Sequence, residues 1–344
     1  MTKVRARGED IRTFILNHVE QFPTDISKET ATKFGITRQA VNKHLQKLTT
    51  ECALIETGKT RNRIYKLAPI SEWKQIYTIT PELAEDQIWR KDIDLALGKM
   101  PDNVSNIWHY GFTEMFNNAI DHSGGSEIII QIRKTAINTE MLMRDNGLGI
   151  FKKIQQTLNL LDERHALLEL SKGKLTTDPK HHSGQGIFFT SRMLDSYDIL
   201  SGGVYFSHQF GEAEDWLLEN NQFSHGTSVW MKLHNHTART TKKIFDQYTS
   251  GNDYAFSKTI VPVKLAQYGN DKLISRSEAK RLLARVELFK YVIFDFTDID
   301  SIGQAFADEI FRVFAIQHPD VKLTAVHTNS EVKQMITRAK SGTS

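Results

Sequence analysis

The stretch FTEMFNNAIDHSG, residues 112–124, constrains this chain more than any other, because it has the period of a core helix without the chemistry of one. Phe112, Met115, Phe116, Ala119 and Ile120 recur at the three- and four-residue spacing of a buried face. Between them stand Glu114, Asn117, Asn118, Asp121 and His122. Glu114, Asn118 and His122 follow one another at four-residue steps and so form one stripe along the helix, with Asp121 beside it. Buried amides and carboxylates need partners. Such a helix either keeps one face wet or lines a site, and alone it does not choose between them.

The residues that follow narrow the choice. EIIIQIRKT and NTEMLMRD alternate like a hairpin of strands, and the second runs into DNGLGI, with Asp145, Gly147 and Gly149. Glycines there let the backbone bend tightly and approach a ligand, while a carboxylate can accept a hydrogen bond from an exocyclic amine. Further on, HHSGQGIFFTSRML sets Gly184 and Gly186 before a helix whose first amides would face an anion. SHGTSVWMKL then puts Gly226 and Thr227 at the start of a predicted strand.

This order, E-x-x-x-N-A-x-x-H, D-x-G-x-G, G-x-G and G-T, resembles the ATP-binding fold of gyrase, Hsp90, histidine kinases and MutL (the GHKL type) over roughly residues 85–235. The resemblance implies an α/β sandwich that binds ATP with Mg²⁺. Carried over position by position, it makes Asn118 a Mg²⁺ ligand and Asp145 the reader of the adenine amino group, supported through water by Thr227. Gly147 and Gly149 would shape the adenine pocket, and Gly184 and Gly186 would hold the phosphates. Asp121 and His122 match cofactor-binding positions that vary between branches of the family. The segment between the glycine boxes would be a lid carrying Lys152, Lys153, Lys172, Lys174 and Lys180, any of which could reach a phosphate. Glu114 matches the catalytic glutamate, which activates water in hydrolytic members and stands beside a protein hydroxyl in serine-kinase members. A sensor histidine kinase is not expected. Its dimerising hairpin would need a phospho-accepting histidine, and residues 68–100 contain none.

Charge separates the N-terminal end from the rest. Residues 1–70 hold 13 Lys/Arg against 7 Asp/Glu, while the whole chain of 344 residues nets only +3. Helical spacing of Ile11, Phe14, Ile15 and Val19 is followed by a second helix in SKETATKFG, with Ser27 as its cap and Gly35 as its stop. A third helix in TRQAVNKHLQKLTTE turns Val41, Leu45 and Leu48 inward and Arg38, Gln39, Asn42 and Lys43 outward. ALIETGKTRNRIYKL reads as two strands around a basic turn. Together these resemble a winged helix-turn-helix domain over residues 1–67, which implies double-stranded DNA as partner. The outward side chains of the third helix would meet base edges or phosphates, and Lys59, Arg61 and Arg63 would contact phosphates. A tri-helical protein-docking module is the alternative.

After an expected linker at 68–84 and the ATP-binding-type unit at 85–238, residues 255–340 alternate strands (VPVKL, YVIFDFTDI, VKLTAVHT) with helices (SRSEAKRLLARVELF, GQAFADEIFRVFAI, SEVKQMITRA). YVIFDFTDIDSIGQAFADEIFRVF resembles the STAS fold of anti-sigma-factor antagonists, in which a strand ends in an aspartate-serine pair and a glycine before a helix. Here that pair is Asp300 and Ser301, followed by Ile302 and Gly303. The resemblance makes Ser301 a phosphorylation candidate, and the alternative is that it caps the helix beginning near Gly303. With one cysteine, Cys52, no intramolecular disulfide can form, and no apolar run or leader-like N-terminus predicts a membrane or secreted protein, so a cytoplasmic setting is expected. The expected whole is an α/β multidomain regulator in which Mg-ATP switches a DNA-binding module. The alternatives are a serine kinase acting on Ser301 or a separate STAS protein, and a non-catalytic adenine-nucleotide sensor. A homodimer and a sigma-factor-type or STAS protein are the protein partners left open.

Overall fold

The computed structural model describes residues 3–59, 62–175, 184–211, 216–249, 256–267 and 272–341. The N-terminal unit consists of α1 (Lys3–His18), α2 (Ile26–Phe34), α3 (Arg38–Thr50) and an antiparallel hairpin of β1 (Leu54–Thr57) and β2 (Ile64–Leu67). Ile11, Ile15, Val19, Ile26, Val41, Leu45, Leu48, Leu54, Tyr65 and Leu67 form its own apolar core. Gly35 ends α2 in the left-handed conformation, as expected, but the cap position belongs to Asp25 and not to Ser27. Ser27 lies within the first turn, where its hydroxyl meets Asn42 Oδ1 at 3.3 Å.

The expected linker is part of the next sheet. β3 (Ser71–Thr78) pairs along its whole length with β4 (Glu127–Lys134), and Trp73 and Tyr77, four residues apart and so on one face of the strand, pack on the core. Next come α4 (Glu85–Ile88), a π-helical turn at Trp89–Ile93, α5 (Asp94–Leu97) and the long α6 (Asp102–His122). β5 (Asn138–Asp145), α7 (Ile150–Thr157), α8 (Glu163–Lys172), α9 (Gly186–Met193), β6 (Ser196–Gln209), β7 (Trp216–His234) and α10 (Thr241–Tyr248) complete the middle unit. Its five strands are all antiparallel, in the order β3-β4-β5-β7-β6. One face presents Ile128, Ile130, Ile132, Met141, Met143, Tyr197, Ile199, Val229, Met231 and Leu233 to the helices. From α6, Val104, Ile107, Trp108, Phe112, Met115, Phe116 and Ala119 pack into that core. Gly226 and Thr227 do not begin a strand as expected. β7 runs through them, and they mark the point from which it pairs with β5, starting at Ser228 opposite Arg144.

The last unit has three parallel strands in the order β10-β9-β8: β8 (Lys258–Pro262), β9 (Tyr291–Asp295) and β10 (Lys322–Val326). The connections carry helices, as parallel pairs require. They are α11 (Arg276–Leu283) between β8 and β9, then α12 (Gln304–Asp308), a π-helical stretch at Glu309–Phe314 and α13 (Ala315–Gln317), with α14 (Ser330–Ser341) closing the chain. VPVKL contributes only its first two residues to β8, since Val263–Ala266 turn into a 3₁₀ helix. The apolar core is continuous from Tyr77 to Ala339, joining the middle and last units.

Candidate functional site

The polar stripe of α6 opens into a cavity of about 260 Å³. Glu114, Asn118 and His122 line it from the helix, Asp145 from the end of β5, Gly184 and Gly186 from the start of α9, and Thr227 from β7. The four sequence boxes thus meet around one space. Its apolar lining includes Met143, Ile154, Leu175, Ile199 and Val229. Asp121 is not part of it, since one step round the helix turns that side chain outward to an exposed position. Gly147 and Gly149 are not among its lining residues.

Asp145 occupies the last core-facing position of β5, two residues beyond buried Met143, and is 5% exposed. Its Oδ1 accepts the Gly147 N–H at 2.9 Å and the Thr227 N–H at 3.3 Å. The Thr227 hydroxyl bonds the same carboxylate while accepting the Ile150 N–H at 3.0 Å. Burial raises the Asp145 pKa, and these hydrogen bonds oppose the rise without cancelling it. The glycines around it allow close backbone approach. A Cβ on Gly226, whose φ is +77°, would stand 2.0 Å from Asp145 O, and one on Gly147 would stand 2.2 Å from Ser123 O.

Glu114 lies where α6 meets α9. A Cβ on Gly186 would fall 1.9 Å from Glu114 Oε2, so only a glycine lets the carboxylate rest against the first residue of that helix. The free amides of a helix N-terminus favour negative charge there. Tyr110, one turn before Glu114, hydrogen-bonds it, and burial first and the carboxylate second hold this phenol above its ordinary range. Among the described residues no group of three or more His, Cys, Asp and Glu is placed to hold a metal ion. A magnesium ion, if bound, would therefore depend on oxygens brought by its ligand beside the Asn118 amide, as is usual for Mg²⁺ at phosphates.

Of the lysines expected on a lid, Lys153 lines the cavity. Lys152 is exposed, Lys180 lies outside the described residues, and Lys172 and Lys174 point away to the last unit. Among the polar lining residues, Asn117 and Tyr197 were given no role by the sequence motifs, the latter wholly buried with its hydroxyl 3.0 Å from Met115 Sδ. Of the unassigned neighbours, Tyr110 had a signal, its four-residue spacing from Glu114.

On the N-terminal unit, Arg38, Gln39, Asn42 and Lys43 are exposed on one side of α3, and Lys59 is exposed at the hairpin. Arg61 lies outside the described residues. Arg63 is less free than expected: its Nε is 2.9 Å from Glu56 Oε1, and its guanidinium also reaches the Tyr65 hydroxyl. In the last unit Ser301 does not cap the following helix. The N-cap is Gly303, which has no side chain to make a cap bond, and the loop is held by backbone, with Gly303 N–H bonding Leu273 O at 2.8 Å and Ile302 bridging Leu273. Ile302 is buried, which accounts for an apolar residue at that position.

Residues 278–333 match the family described as a STAS-like domain of unknown function (DUF4325). The last unit is therefore STAS-like, in line with the reading of YVIFDFTDIDSIGQAF. No curated protein matches the chain. Among the described residues no helix is long and apolar enough to cross a membrane.

Proposed function

We propose that this chain is an ATP-dependent DNA-binding regulator: a GHKL-type middle unit binds and slowly hydrolyses Mg-ATP and thereby switches an N-terminal winged helix, with a STAS-like unit at the C-terminus. The observation that carries the proposal is the convergence of Glu114, Asn118, Asp145, Gly184, Gly186 and Thr227 on a single cavity. In this reading Asp145 accepts a hydrogen bond from the adenine amine, oriented by Gly147 and Thr227. Asn118 would offer an amide oxygen to Mg²⁺, which when bound would screen the charge of the phosphates. Lys153 supplies a further positive charge. Glu114 takes a proton from the attacking water as the water oxygen bonds the γ-phosphorus and the bond to the β-phosphate oxygen breaks, leaving ADP and phosphate. Support for the DNA-binding part is the exposure of Arg38, Gln39, Asn42, Lys43 and Lys59 on a basic unit with its own core.

A second reading, a serine kinase of the anti-sigma-factor type, is favoured by one observation: with Gly303 at the N-cap, capping no longer explains Ser301. Incubation with γ-labelled ATP and Mg²⁺ separates the readings. Free labelled phosphate that disappears in Glu114→Ala is the expected result. Label retained on the chain and lost in Ser301→Ala would replace hydrolysis with transfer, and binding without either product would leave a nucleotide sensor.

A further inference from the structure

Helix α8 lies between two structures that the sequence treats as separate. Leu170 and the following Leu175 line the cavity. The other side of the same helix faces the STAS-like unit, and every residue from Ala166 to Lys172 is buried. Lys172 is the centre of that contact, 1% exposed. Its ammonium group has three protons and meets three acceptors: Glu169 Oε1 at 2.7 Å, Ala284 O at 2.8 Å and Arg281 O at 3.4 Å. Arg281 and Ala284 belong to the end of α11, where carbonyls lack helical partners and the helix dipole favours a cation.

Four further bonds run across the same junction. Thr259 Oγ1 donates to Lys172 O at 2.7 Å, Lys174 Nζ to Leu288 O at 2.7 Å, Arg164 to Gln267 O at 2.8 Å, and Arg285 to Lys174 O. Phe188 of α9, Phe256 and Phe289 meet in turn through the junction, the first pair tilted and the second edge to face, with centroids 4.9 and 5.3 Å apart. The chain passes this aromatic wall at Gly173, whose φ is +77° and where a Cβ would meet the Phe256 ring at 2.7 Å. Most of these bonds end on main-chain carbonyls, so they fix position and not merely side-chain proximity.

We infer that α8 is a two-sided latch: docking of the STAS-like unit on Lys172 holds Leu170 and Leu175 in the cavity wall, so that cavity occupancy and attachment of that unit favour each other. The docked state is the ligand-competent one, because it supplies the wall. Coupling of this kind is reciprocal. A ligand in the cavity tightens the junction, and a partner that pulls the STAS-like unit away loosens the ligand. The nucleotide arm of the test rests on the function proposed above, whereas the latch itself does not.

The test uses the full chain and two variants. Lys172→Met removes the central cation but leaves Glu169 buried without it, so Thr259→Val combined with Lys174→Met serves as the milder one. Amide hydrogen exchange is followed without ligand and with saturating Mg-ATP, and ATP affinity is measured by calorimetry. The milder variant is expected to speed exchange in residues 163–175 at least about tenfold, to leave residues 11–48 unchanged and to weaken ATP by a similar factor. In the wild type, ATP is expected to slow exchange at residues 256–289. Faster exchange in 163–175 with unaltered ATP affinity would overturn the latch, as would indifference of 256–289 to bound ATP. If neither protein binds ATP, the nucleotide reading falls, and the ligand-free arm decides: loosening of 163–175 in the milder variant supports the latch, and unchanged protection refutes it.

Discussion

Replacing Asp145 with asparagine separates what this carboxylate does for a ligand from what it does to the fold. Its Oδ1 is held by two backbone amides, so the group is oriented before any ligand arrives. A hydrogen bond to a charged group contributes about 1.5–3 kcal/mol, which corresponds to about 10- to 150-fold in Kd. Asp145→Asn should weaken ATP by that factor. It should weaken inosine triphosphate far less, because that base has a carbonyl in place of the amine and gains nothing from a carboxylate acceptor. Competition calorimetry with the two nucleotides is the assay, and equal losses for both would refute the role given to Asp145. Stability should move the other way. Burial raises the folded-state pKa of Asp145, so the proton is held more tightly folded than unfolded. Its stabilising contribution is therefore present below the unfolded pKa and lost as pH rises through the raised one. The ligand-free variant should compare best with wild type at neutral pH, and the wild type should gain on it as the solution is acidified. Melting temperatures across that range that keep a constant difference would show that burial does not govern this group.

Two further outcomes follow from the geometry. Gly226→Ala puts a side chain at φ +77° and 2.0 Å from Asp145 O, so beyond a left-handed penalty of about 1–2 kcal/mol the strand must shift; scanning calorimetry should show the melting temperature falling by at least about 2 °C, and an unchanged melt would mean that the β5–β7 junction is not tight. Neutralising Lys43 and Lys59, both exposed, should lower the salt slope of duplex binding by roughly 1.8, whereas Arg63→Gln should change it less because Arg63 is paired with Glu56; equal effects would place Arg63 on the phosphates.

The sequence was readable where one side chain had to violate its own pattern. Asp145 at a core-facing strand position, and half-buried amides beside the apolar face of α6, stand out because polar groups taken from water need partners. Asp121 misled for the same reason: helical adjacency in sequence does not distinguish a wall residue from its solvent-facing neighbour. The β3 strand was hidden because an edge strand needs only one covered face, and its exposed Ile76 and surrounding polar residues look like linker composition. Lys172 was unreadable as a structural group. Glu169 stands only three residues before it, but its other two acceptors are carbonyls more than a hundred residues away, and main-chain carbonyls leave no trace in residue identity.

The same junction bears on whether phosphate could pass to Ser301. Among the described residues those lining the cavity fall between Glu114 and Val229, with none from the STAS-like unit, and α8 with its buried ion pair lies toward that unit. Ser301 lies beyond β9 in a loop fixed to Leu273. Transfer within one docked chain would have to break the junction first, so any labelling of Ser301 should occur between chains. The initial rate of label incorporation should then rise with the square of protein concentration when ATP is saturating and pairing is weak, and mixing a Glu114→Ala chain with a Ser301→Ala chain should restore it. Ser301→Ala itself should leave the melting temperature unchanged, since a lost helix cap would cost about 1 kcal/mol and Ser301 caps nothing. First-order labelling at every dilution, with no rescue on mixing, would mean that the junction opens in the working protein and that Ser301 reaches the cavity of its own chain.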